Sequence, residues 1–228
     1  MDKQTLLKEL ESRRVMLNEK QRNQFAYYYY FLTTENAKYN LTSLVLESEV
    51  YEKHFYDSLS LLFDNDFEGS VIDVGSGGGF PGLPLKIVKP ELDLTFLDAT
   101  KKKVDFIDAL ATKLNLDVKT VCARAEEHQE KYDYVIARAV APLNILLELC
   151  ANLLKKGGTL IAMKGSHYQE ELDEAKTAIK TLGYELDHVY EYNLPSENDM
   201  RCNIFLRKAR DHNAKYPRNF SKIKKQPL

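Results

Sequence analysis

The sequence predicts an α/β protein with a mostly parallel sheet, an antiparallel edge strand and a helical extension at its N-terminus. Three features of the pattern lead to this prediction. Apolar residues recur at helical spacing up to about residue 66, short apolar runs alternate with helical stretches after Gly69, and the last two apolar runs follow each other with no helix between them. Alternating strands and helices are typical of βαβ units, which build parallel sheets.

The N-terminal extension is predicted to hold at least three helices. Leucines recur at helical spacing in the first ten positions, and Asn18 with Gln21 three residues later resembles a capping box that begins a second helix. A third helix is predicted over residues 48–63. The aromatic run at 27–31 lies on the second helix, so some rings should face the core and others should point outward. Core packing is the first interpretation of this run, and a surface for stacking or for a partner is the alternative.

The following core is predicted to contain seven strands and four helices. The strands are expected at 71–74, 94–98, 118–123, 134–137, 159–163, 184–192 and 203–207, and the helices at 82–88, 101–114, 142–155 and 167–182. Only residues 193–199 separate the last two strands, which indicates an antiparallel pair at one edge. We therefore divide the chain into a helical extension (1–66), a core (67–209) and an irregular basic tail (210–228).

Charge is unevenly distributed along the chain. The 228 residues carry a net charge of only -2, but residues 207–228 contain eight lysines and arginines against one acid. A basic tail on a nearly neutral body favours contact with a polyanion, although a solvated C-terminus would have the same composition.

Cysteine usage and hydropathy exclude several classes of protein. Cys122, Cys150 and Cys202 are scattered and form no C-x-x-C pair, which argues against a disulfide framework and a zinc site. No apolar run approaches the length of a membrane span, and the first residues have no signal-peptide core. We therefore expect a cytoplasmic monomer that holds no metal and contacts no membrane.

The strongest motif is a glycine-rich loop that joins the first core strand to a helix. Asp73 lies in the strand, and Gly75, Ser76, Gly77 and Phe80 follow in the loop. Glycines allow close approach of the backbone to a ligand, and the following helix N-terminus faces the same crevice. The motif predicts a site for a nucleotide-like ligand.

The register of this loop favours S-adenosylmethionine over a dinucleotide. A dinucleotide fingerprint begins directly after its strand, at Gly75, but the third required glycine would then fall on Phe80. Asp73 beside the loop suits a ligand with a cationic amino acid portion and would repel a pyrophosphate. Asp98 ends the second strand, where an acid can accept hydrogen bonds from ribose hydroxyls.

At these residues the sequence resembles the glucose-inhibited division protein B family, the small-subunit ribosomal RNA guanine-N7 methyltransferases. The similarity is carried by 73–85 (Asp-Val-Gly-Ser-Gly-Gly-Gly-Phe-Pro-Gly-Leu-Pro-Leu), 39–43 (Tyr-Asn-Leu-Thr-Ser), 54–59, 101–103, 124–126 (Arg-Ala-Glu), 137–142 (Ala-Arg-Ala-Val-Ala-Pro), 164–165, Arg201 and 216–218. It extends from about residue 15 to the end. Cys202 stands where relatives often carry another residue.

The resemblance implies a fold, a reaction and a set of site residues. The fold would be the Rossmann-like class I S-adenosylmethionine-dependent methyltransferase sheet, and the reaction would be methylation of guanine N7 in the decoding region of small-subunit (16S) rRNA. By matched position, the cofactor pocket would include Gly75, Phe80, Ala125, Glu126 and Arg138, with Ala125 and Glu126 against the adenine. Other functional positions, with open individual roles, are Asn40, His54, Asp57, Arg124, Lys164 and Arg201.

The chemistry of guanine N7 agrees with the absence of a triad or metal motif. N7 has a free lone pair and no proton, so catalysis rests mainly on proximity and alignment. Arg138 could donate to guanine O6, to phosphate or to the cofactor carboxylate, or could be a structural ion-pair partner. His54 and Asp57 could instead form a structural hydrogen bond, and the lysines at 101–103 could contact phosphate or only solvent.

Three other functions compete with this prediction. A methyltransferase of a small molecule or protein would show a deep closed pocket without basic surroundings. A non-catalytic RNA-binding module would not bind the cofactor. A dehydrogenase is disfavoured by the positions of Phe80 and Asp73.

Overall fold

The computed structural model describes residues 1–39 and 41–228, with Ala37 described by its backbone only. A seven-stranded sheet with the order β3-β2-β1-β4-β5-β7-β6 forms its centre. The strands are β1 (Ser70–Val74), β2 (Asp93–Asp98), β3 (Lys119–Cys122), β4 (Tyr132–Arg138), β5 (Leu154–Gly165), β6 (Tyr184–Asn193) and β7 (Met200–Lys208). The first five are parallel, whereas β7 runs antiparallel to both β5 and β6. The predicted sheet is confirmed.

Helices cover both faces of the sheet. They are α1 (Lys3–Ser12), α2 (Glu19–Tyr39), α3 (the consecutive segments Glu47–Glu49, Val50–Tyr56, Asp57–Leu59 and Ser60–Leu62), α4 (Gly82–Val88), α5 (Lys101–Leu114), α6 (Leu143–Leu149), α7 (Tyr168–Glu174), α8 (Lys176–Leu182) and α9 (Phe220–Lys225). The Val50–Tyr56 segment of α3 is a π-helix. No helix in the described parts of the chain combines the length and hydrophobicity needed to cross a membrane.

The alternation of side chains along β1 divides the protein into two apolar layers. Val71 packs in the layer formed with α1 to α5, while Ile72 and Val74 pack in the layer formed with α6 to α9. Both faces of β1 are therefore buried, as expected for a central parallel strand. The helical extension belongs to the first layer and covers the sheet directly.

The start of α2 confirms the predicted capping box. The Asn18 amide donates to the Gln21 side chain at 2.9 Å, and the Gln21 amide donates back to the Asn18 side chain at 2.9 Å. The aromatic run on this helix also divides as predicted, because Tyr28 is completely buried whereas Tyr30 is 60% exposed. Tyr28 packs towards the sheet, where it contacts Gly78 and Phe80 of the glycine loop.

Two predicted helices differ from those observed. The helix predicted over 142–155 ends at Leu149, since the chain must turn back so that Leu154 can pair with Tyr132 of β4. The helix predicted over 167–182 is divided at Ala175 into α7 and α8. Hydrophobic periodicity continues through both breaks, so the pattern alone could not locate them.

The prediction of an irregular tail is wrong for Phe220–Lys225, which form α9. The Asn219 side chain accepts a hydrogen bond from the Lys222 amide and caps this helix, and Ile223 is completely buried. Arg218 donates to both carboxylate oxygens of the fully buried Glu148, at 2.6 and 2.5 Å. A buried carboxylate needs such a partner, so the tail is fixed to α6.

Candidate active site

A cleft of about 590 Å³ opens at the carboxyl ends of β1, β4 and β5. This is a usual volume for a small-molecule site, and ligands bind at this edge of open α/β sheets. The lining combines the glycine loop with basic side chains: Leu41, Leu44, Lys53, His54, Asp57, Gly75, Ser76, Gly77, Gly78, Phe80, Arg138, Ala139, Met163, Lys164, Gly165, Glu171 and Arg201. The cleft thus brings together nine of the predicted site residues from five separate stretches of the chain: His54, Asp57, Gly75, Ser76, Gly77, Phe80, Arg138, Lys164 and Arg201.

The glycine loop adopts a backbone conformation that other residues rarely adopt. Gly75 has φ 68° and Gly77 has φ 54°. A Cβ atom on Gly75 would lie 2.7 Å from a methyl group of Val140, so the position is closed to larger residues. The Gly77 amide donates to Asp98 at 3.1 Å, which holds the Asp98 carboxylate beside the loop.

Asp73 lies behind the loop and does not line the cleft. It is completely buried, and one carboxylate oxygen accepts a hydrogen bond from the Gly82 amide at 2.8 Å, at the start of α4. Its other oxygen, Oδ1, has no hydrogen-bond partner. Burial raises the pKa of Asp73 to about 7, despite the lowering effect of the Gly82 bond. An acceptor with spare capacity therefore stands beside the loop.

Phe80 connects the glycine loop to the N-terminal helices. The Tyr28 ring of α2 stacks on Phe80 with centroids 5.1 Å apart, and the His54 ring of α3 stacks on it at 4.3 Å. The Tyr28 hydroxyl also donates to the carbonyl of Gly78 at 2.6 Å. Because these contacts shape the loop, the helical extension forms part of the site.

Arg138 ends β4 and is held by three groups of α3. Nη1 donates to Asp57 at 2.7 Å and to the Lys53 carbonyl at 3.1 Å, and Nη2 lies 3.2 Å from Nδ1 of His54. The guanidinium also lies over the Phe80 ring, 5.2 Å from its centroid. These contacts confine the guanidinium to one position in the cleft wall.

The same contacts determine the protonation of His54. An arginine can only donate, so Nδ1 accepts, and the ring proton resides on Nε2, which lies 2.8 Å from the Thr42 hydroxyl oxygen. Burial, together with the Arg138 charge, lowers the pKa of His54 to about 3. The ring is therefore neutral, and both of its nitrogens are occupied by hydrogen bonds.

Asp57 joins two arginines of the cleft. Besides Arg138, it lies 3.8 Å from Nε of Arg201 on β7 and accepts a hydrogen bond from the Tyr192 hydroxyl at 2.9 Å. The π-helical turn directly before Asp57 carries His54. Such turns are frequent at functional sites, and this one presents His54 and Asp57 together to Arg138.

Lys164 lines the cleft near the end of β5. Its ammonium donates to the Ala141 carbonyl at 2.8 Å and to Glu171 of α7 at 2.6 Å. Glu171 also accepts from the Leu143 amide at 2.7 Å, at the start of α6. Ala139, between these elements, has φ 55°, an uncommon conformation for alanine that marks a constrained turn directly after Arg138.

Besides Asp73 and Asp98, three described residues of the predicted site do not line the cleft. Ala125 and Glu126 form a short turn after β3, whose last residue pairs with Asp98, so they stand at the same sheet edge but outside the cleft lining. Arg124 lies over the Phe220 ring of α9 at 4.8 Å and, with Glu126, borders a second, shallow depression. Asn40 lies outside the described residues.

Several residues that the sequence reasoning did not assign to the site also shape it. Thr42 bonds to His54, Lys53 supplies a carbonyl to Arg138, and Glu171 pairs with Lys164. Thr42 lies within the motif at 39–43, which could have indicated it. Nothing in the local sequence marks Glu171 as a site residue, because its role arises only when α7 packs against β5.

The cleft has the features that an S-adenosylmethionine site requires. The glycine loop allows close approach of a ligand to the backbone, the Asp98 carboxylate is held beside it, and the buried carboxylate of Asp73 behind it keeps one oxygen without a hydrogen-bond partner. Among the described residues, no three His, Cys, Asp or Glu side chains converge as a metal site would need. The strand order and this loop define a class I S-adenosylmethionine-dependent methyltransferase.

Known proteins of similar fold and sequence agree with this class. The solved structure of a SAM-dependent methyltransferase from Aquifex aeolicus superimposes with a TM-score of 0.55 at 15% identity, covering 77% of this chain and 97% of that chain. The family model described as GidB, rRNA small subunit methyltransferase G, matches residues 21–199. Ribosomal RNA small subunit methyltransferase G of Staphylococcus haemolyticus is 45% identical over 231 residues, and that of Oceanobacillus iheyensis is 43% identical over 228, each covering at least 96% of both chains.

The chain belongs to the rRNA small subunit methyltransferase G family. The family, the fold class, the enzyme class and the cofactor predicted from the sequence are confirmed.

Proposed function

We propose that this protein transfers a methyl group from S-adenosylmethionine to N7 of a guanosine in the decoding region of small-subunit (16S) rRNA. One observation carries the proposal beyond family membership. The glycine loop and three basic side chains, Arg138, Lys164 and Arg201, line the same cleft. A cofactor site thus adjoins a wall that can bind a nucleotide phosphate or the acceptor edge of a base.

At the cofactor end, the chain's own groups would bind and orient the ligand. Gly75 and Gly77 let the ligand approach the backbone closely, and Asp98 offers an acceptor for ribose hydroxyls. Asp73 places a carboxylate behind the loop, which favours a cationic group bound in front of it. The bound cofactor supplies a methyl group on a positively charged sulfur. Ala125 and Glu126 are proposed to border the adenine, since they follow β3 next to Asp98.

At the substrate end, the residues position the base without removing a proton from it. His54 is neutral, half-buried and engaged at both nitrogens, so it is not available as a proton acceptor. Guanine N7 needs no such acceptor, because it carries no proton. The arrangement therefore supports a reaction that depends on alignment, in which Arg138 can donate to O6 or to a phosphate.

Carboxylates moderate the charge of the basic wall. Asp57 pairs with Arg138, and Glu171 pairs with Lys164. Methylation at N7 leaves the base positively charged, so a wall of uncompensated cations would oppose it. The paired arrangement keeps hydrogen-bond donors in place while reducing that repulsion.

The nature of the substrate follows from the shape of the cleft. A base can enter it only when it is unstacked or unpaired, so a structured RNA must present the guanosine. We propose the small ribosomal subunit as the partner, with the protein acting as a monomer without a metal. A ribosomal substrate also agrees with the predicted cytoplasmic location.

Nucleoside mass spectrometry tests the proposal. The protein and S-adenosylmethionine would be incubated in two separate reactions, one with naked 16S rRNA and one with small subunits, both from a strain that lacks this modification. New 7-methylguanosine at one position is expected on at least one substrate. Its absence from both, with cofactor binding intact, would redirect the assignment to another methyl acceptor.

A further inference from the structure

The C-terminal helix presents lysines whose charges are not neutralised by the protein. Lys222, Lys224 and Lys225 of α9 are all exposed, and no carboxylate in the described parts of the chain lies within ion-pairing distance of any of them. Cations near a helix C-terminus stabilise the helix modestly, which could account for one such residue in a six-residue helix. Three adjacent charges without partners form a local positive surface on a protein whose net charge is -2.

These lysines have a fixed position on the molecule. Ile223 of the same helix is completely buried, and Arg218, two residues before the helix, donates from Nε and Nη2 to the two oxygens of the buried Glu148 carboxylate. The Arg218 amide also donates to Glu148 at 3.0 Å. The helix therefore holds its charges against α6 and does not depend on RNA for its order.

The start of the helix lies near the functional edge of the sheet. Phe220 packs under Arg124, which follows β3, and the two border the shallow depression that also contains Glu126 and Glu127. The end of β3 is paired with Asp98 at the end of β2, next to the glycine loop. The carboxyl ends of these parallel strands share one edge, so Phe220, the first residue of α9, lies near the edge of the sheet that holds the cleft.

We propose that the surface formed by Lys222, Lys224 and Lys225 of the docked α9 binds RNA backbone phosphates of the substrate away from the target nucleotide. This inference rests on the proposed function and adds a second contact to it. Phosphate binding by lysines releases counterions, so it must appear as a salt-dependent contribution to substrate affinity. It carries no sequence information, and it would orient the subunit relative to the cleft.

The experiment compares two triple variants in the methylation assay with small subunits. One is Lys222→Gln/Lys224→Gln/Lys225→Gln; the control is Lys8→Gln/Lys20→Gln/Lys113→Gln, which removes the same charge from exposed positions on the helices of the other layer. KM would be measured between roughly 50 and 200 mM salt. The α9 variant should raise KM about tenfold at the lower salt and reduce the slope of log KM against log salt by about 2.

A second variant tests whether the lysines bind RNA from a fixed position on the protein or as part of a flexible basic tail. Ile223→Ala keeps every charge but removes the buried anchor of α9. It should raise KM and reduce the slope in the same direction as the lysine variant. Calorimetric binding of S-adenosylmethionine, expected to be unchanged in all three variants, shows that the core is folded.

The outcomes distinguish this inference from the proposed function. The inference would be overturned if the α9 triple variant kept the wild-type KM and salt slope, if the control variant showed equal effects, or if Ile223→Ala had no effect. In each of these cases, methylation by the wild type would still uphold the proposed function. A membrane would be the partner of this surface if the wild type bound vesicles of anionic phospholipid in a salt-dependent way, and if the α9 triple variant lost that binding while its KM was unchanged. No 7-methylguanosine with the wild type would overturn the function itself, and with it this inference.

Discussion

The Nη2 group of Arg138 donates to Nδ1 of His54 across 3.2 Å, and this contact fixes the histidine as a neutral ring with its proton on Nε2. The arrangement links β4, which ends in the cleft, to α3 of the N-terminal extension. The extension is thus required for the geometry of the site, and disturbing either residue should affect both stability and catalysis.

The first prediction concerns His54→Gln and the pH dependence of stability. The folded-state pKa of His54 is about 3, well below its usual value of 6.5, so between these values the unfolded chain binds a proton that the folded protein excludes. The stability of the wild type should therefore fall relative to the variant as the pH drops below 6.5, by about 1.4 kcal/mol per pH unit at most. Urea denaturation of both proteins between pH 4.5 and 7.5 measures the difference, and a difference independent of pH would contradict a neutral His54.

The second prediction is that Arg138→Lys impairs catalysis despite retaining the charge. A lysine cannot contact Asp57, the Lys53 carbonyl and His54 together, because it lacks the planar fork of donors. A fall in kcat of about 100-fold is expected from misplacement of the reacting groups. The control is Arg207→Lys, an exposed arginine paired with Glu185, and kcat should be unchanged there. Equal kcat values for the two variants would show that only the charge of Arg138 matters.

The third prediction is that Asp57→Asn destabilises the fold. Asp57 is buried and balances Arg138, so its neutralisation leaves a largely buried guanidinium without its counter-charge. We expect a loss of about 3 kcal/mol in the free energy of unfolding. Asp173→Asn serves as the control, since Asp173 pairs with Lys176 on the surface and should matter little. Equal stability of the two variants would mean that Asp57 does not hold the arginines.

The fourth prediction concerns Asp73 and the pH dependence of cofactor affinity. The pKa of Asp73 is raised to about 7, so its carboxylate becomes neutral as the pH falls through that value. A cationic ligand favours the charged form, and S-adenosylmethionine affinity should therefore decline below pH 7, approaching about tenfold per pH unit. In Asp73→Asn the affinity should be lower at pH 8 and independent of pH across this range. Calorimetry from pH 5.5 to 8.5 tests this, and parallel pH profiles for the two proteins would remove Asp73 from cofactor binding.

The sequence predicted the elements that local pattern controls. The helices at 82–88 and 101–114 have their predicted ends, because a glycine loop and a strand end delimit them, and the capping box located the start of α2. The helix α9 was missed, since its stability comes from burial of Ile223 and from the contact between Arg218 and Glu148, 70 residues apart. Such long-range contacts leave no periodic signal.

The same distinction applies to the site. The loop and the acid at the end of β2 could be read directly, because their spacing follows from the strand–loop–helix geometry. The pairings of Arg138 with Asp57 and of Lys164 with Glu171 could not, since these carboxylates reach the cleft from helices that are distant from the arginine or separated from the lysine by a turn. Arg124 was predicted as a site residue, but its contact with Phe220 depends on a helix that the sequence did not reveal.

The most direct test of the account compares the wild type with Gly75→Asp by nucleoside mass spectrometry of small subunits, with calorimetry of S-adenosylmethionine alongside. Gly75 has φ 68° and a Cβ there would lie 2.7 Å from Val140, so aspartate must displace the loop and add a charge to it. Gly157→Ala, also at positive φ but with no neighbour within 4 Å and outside the cleft lining, controls for backbone strain. We predict 7-methylguanosine at one position with the wild type and the control, and neither product nor cofactor binding with Gly75→Asp. Normal binding and methylation by Gly75→Asp would show that the cofactor site lies elsewhere.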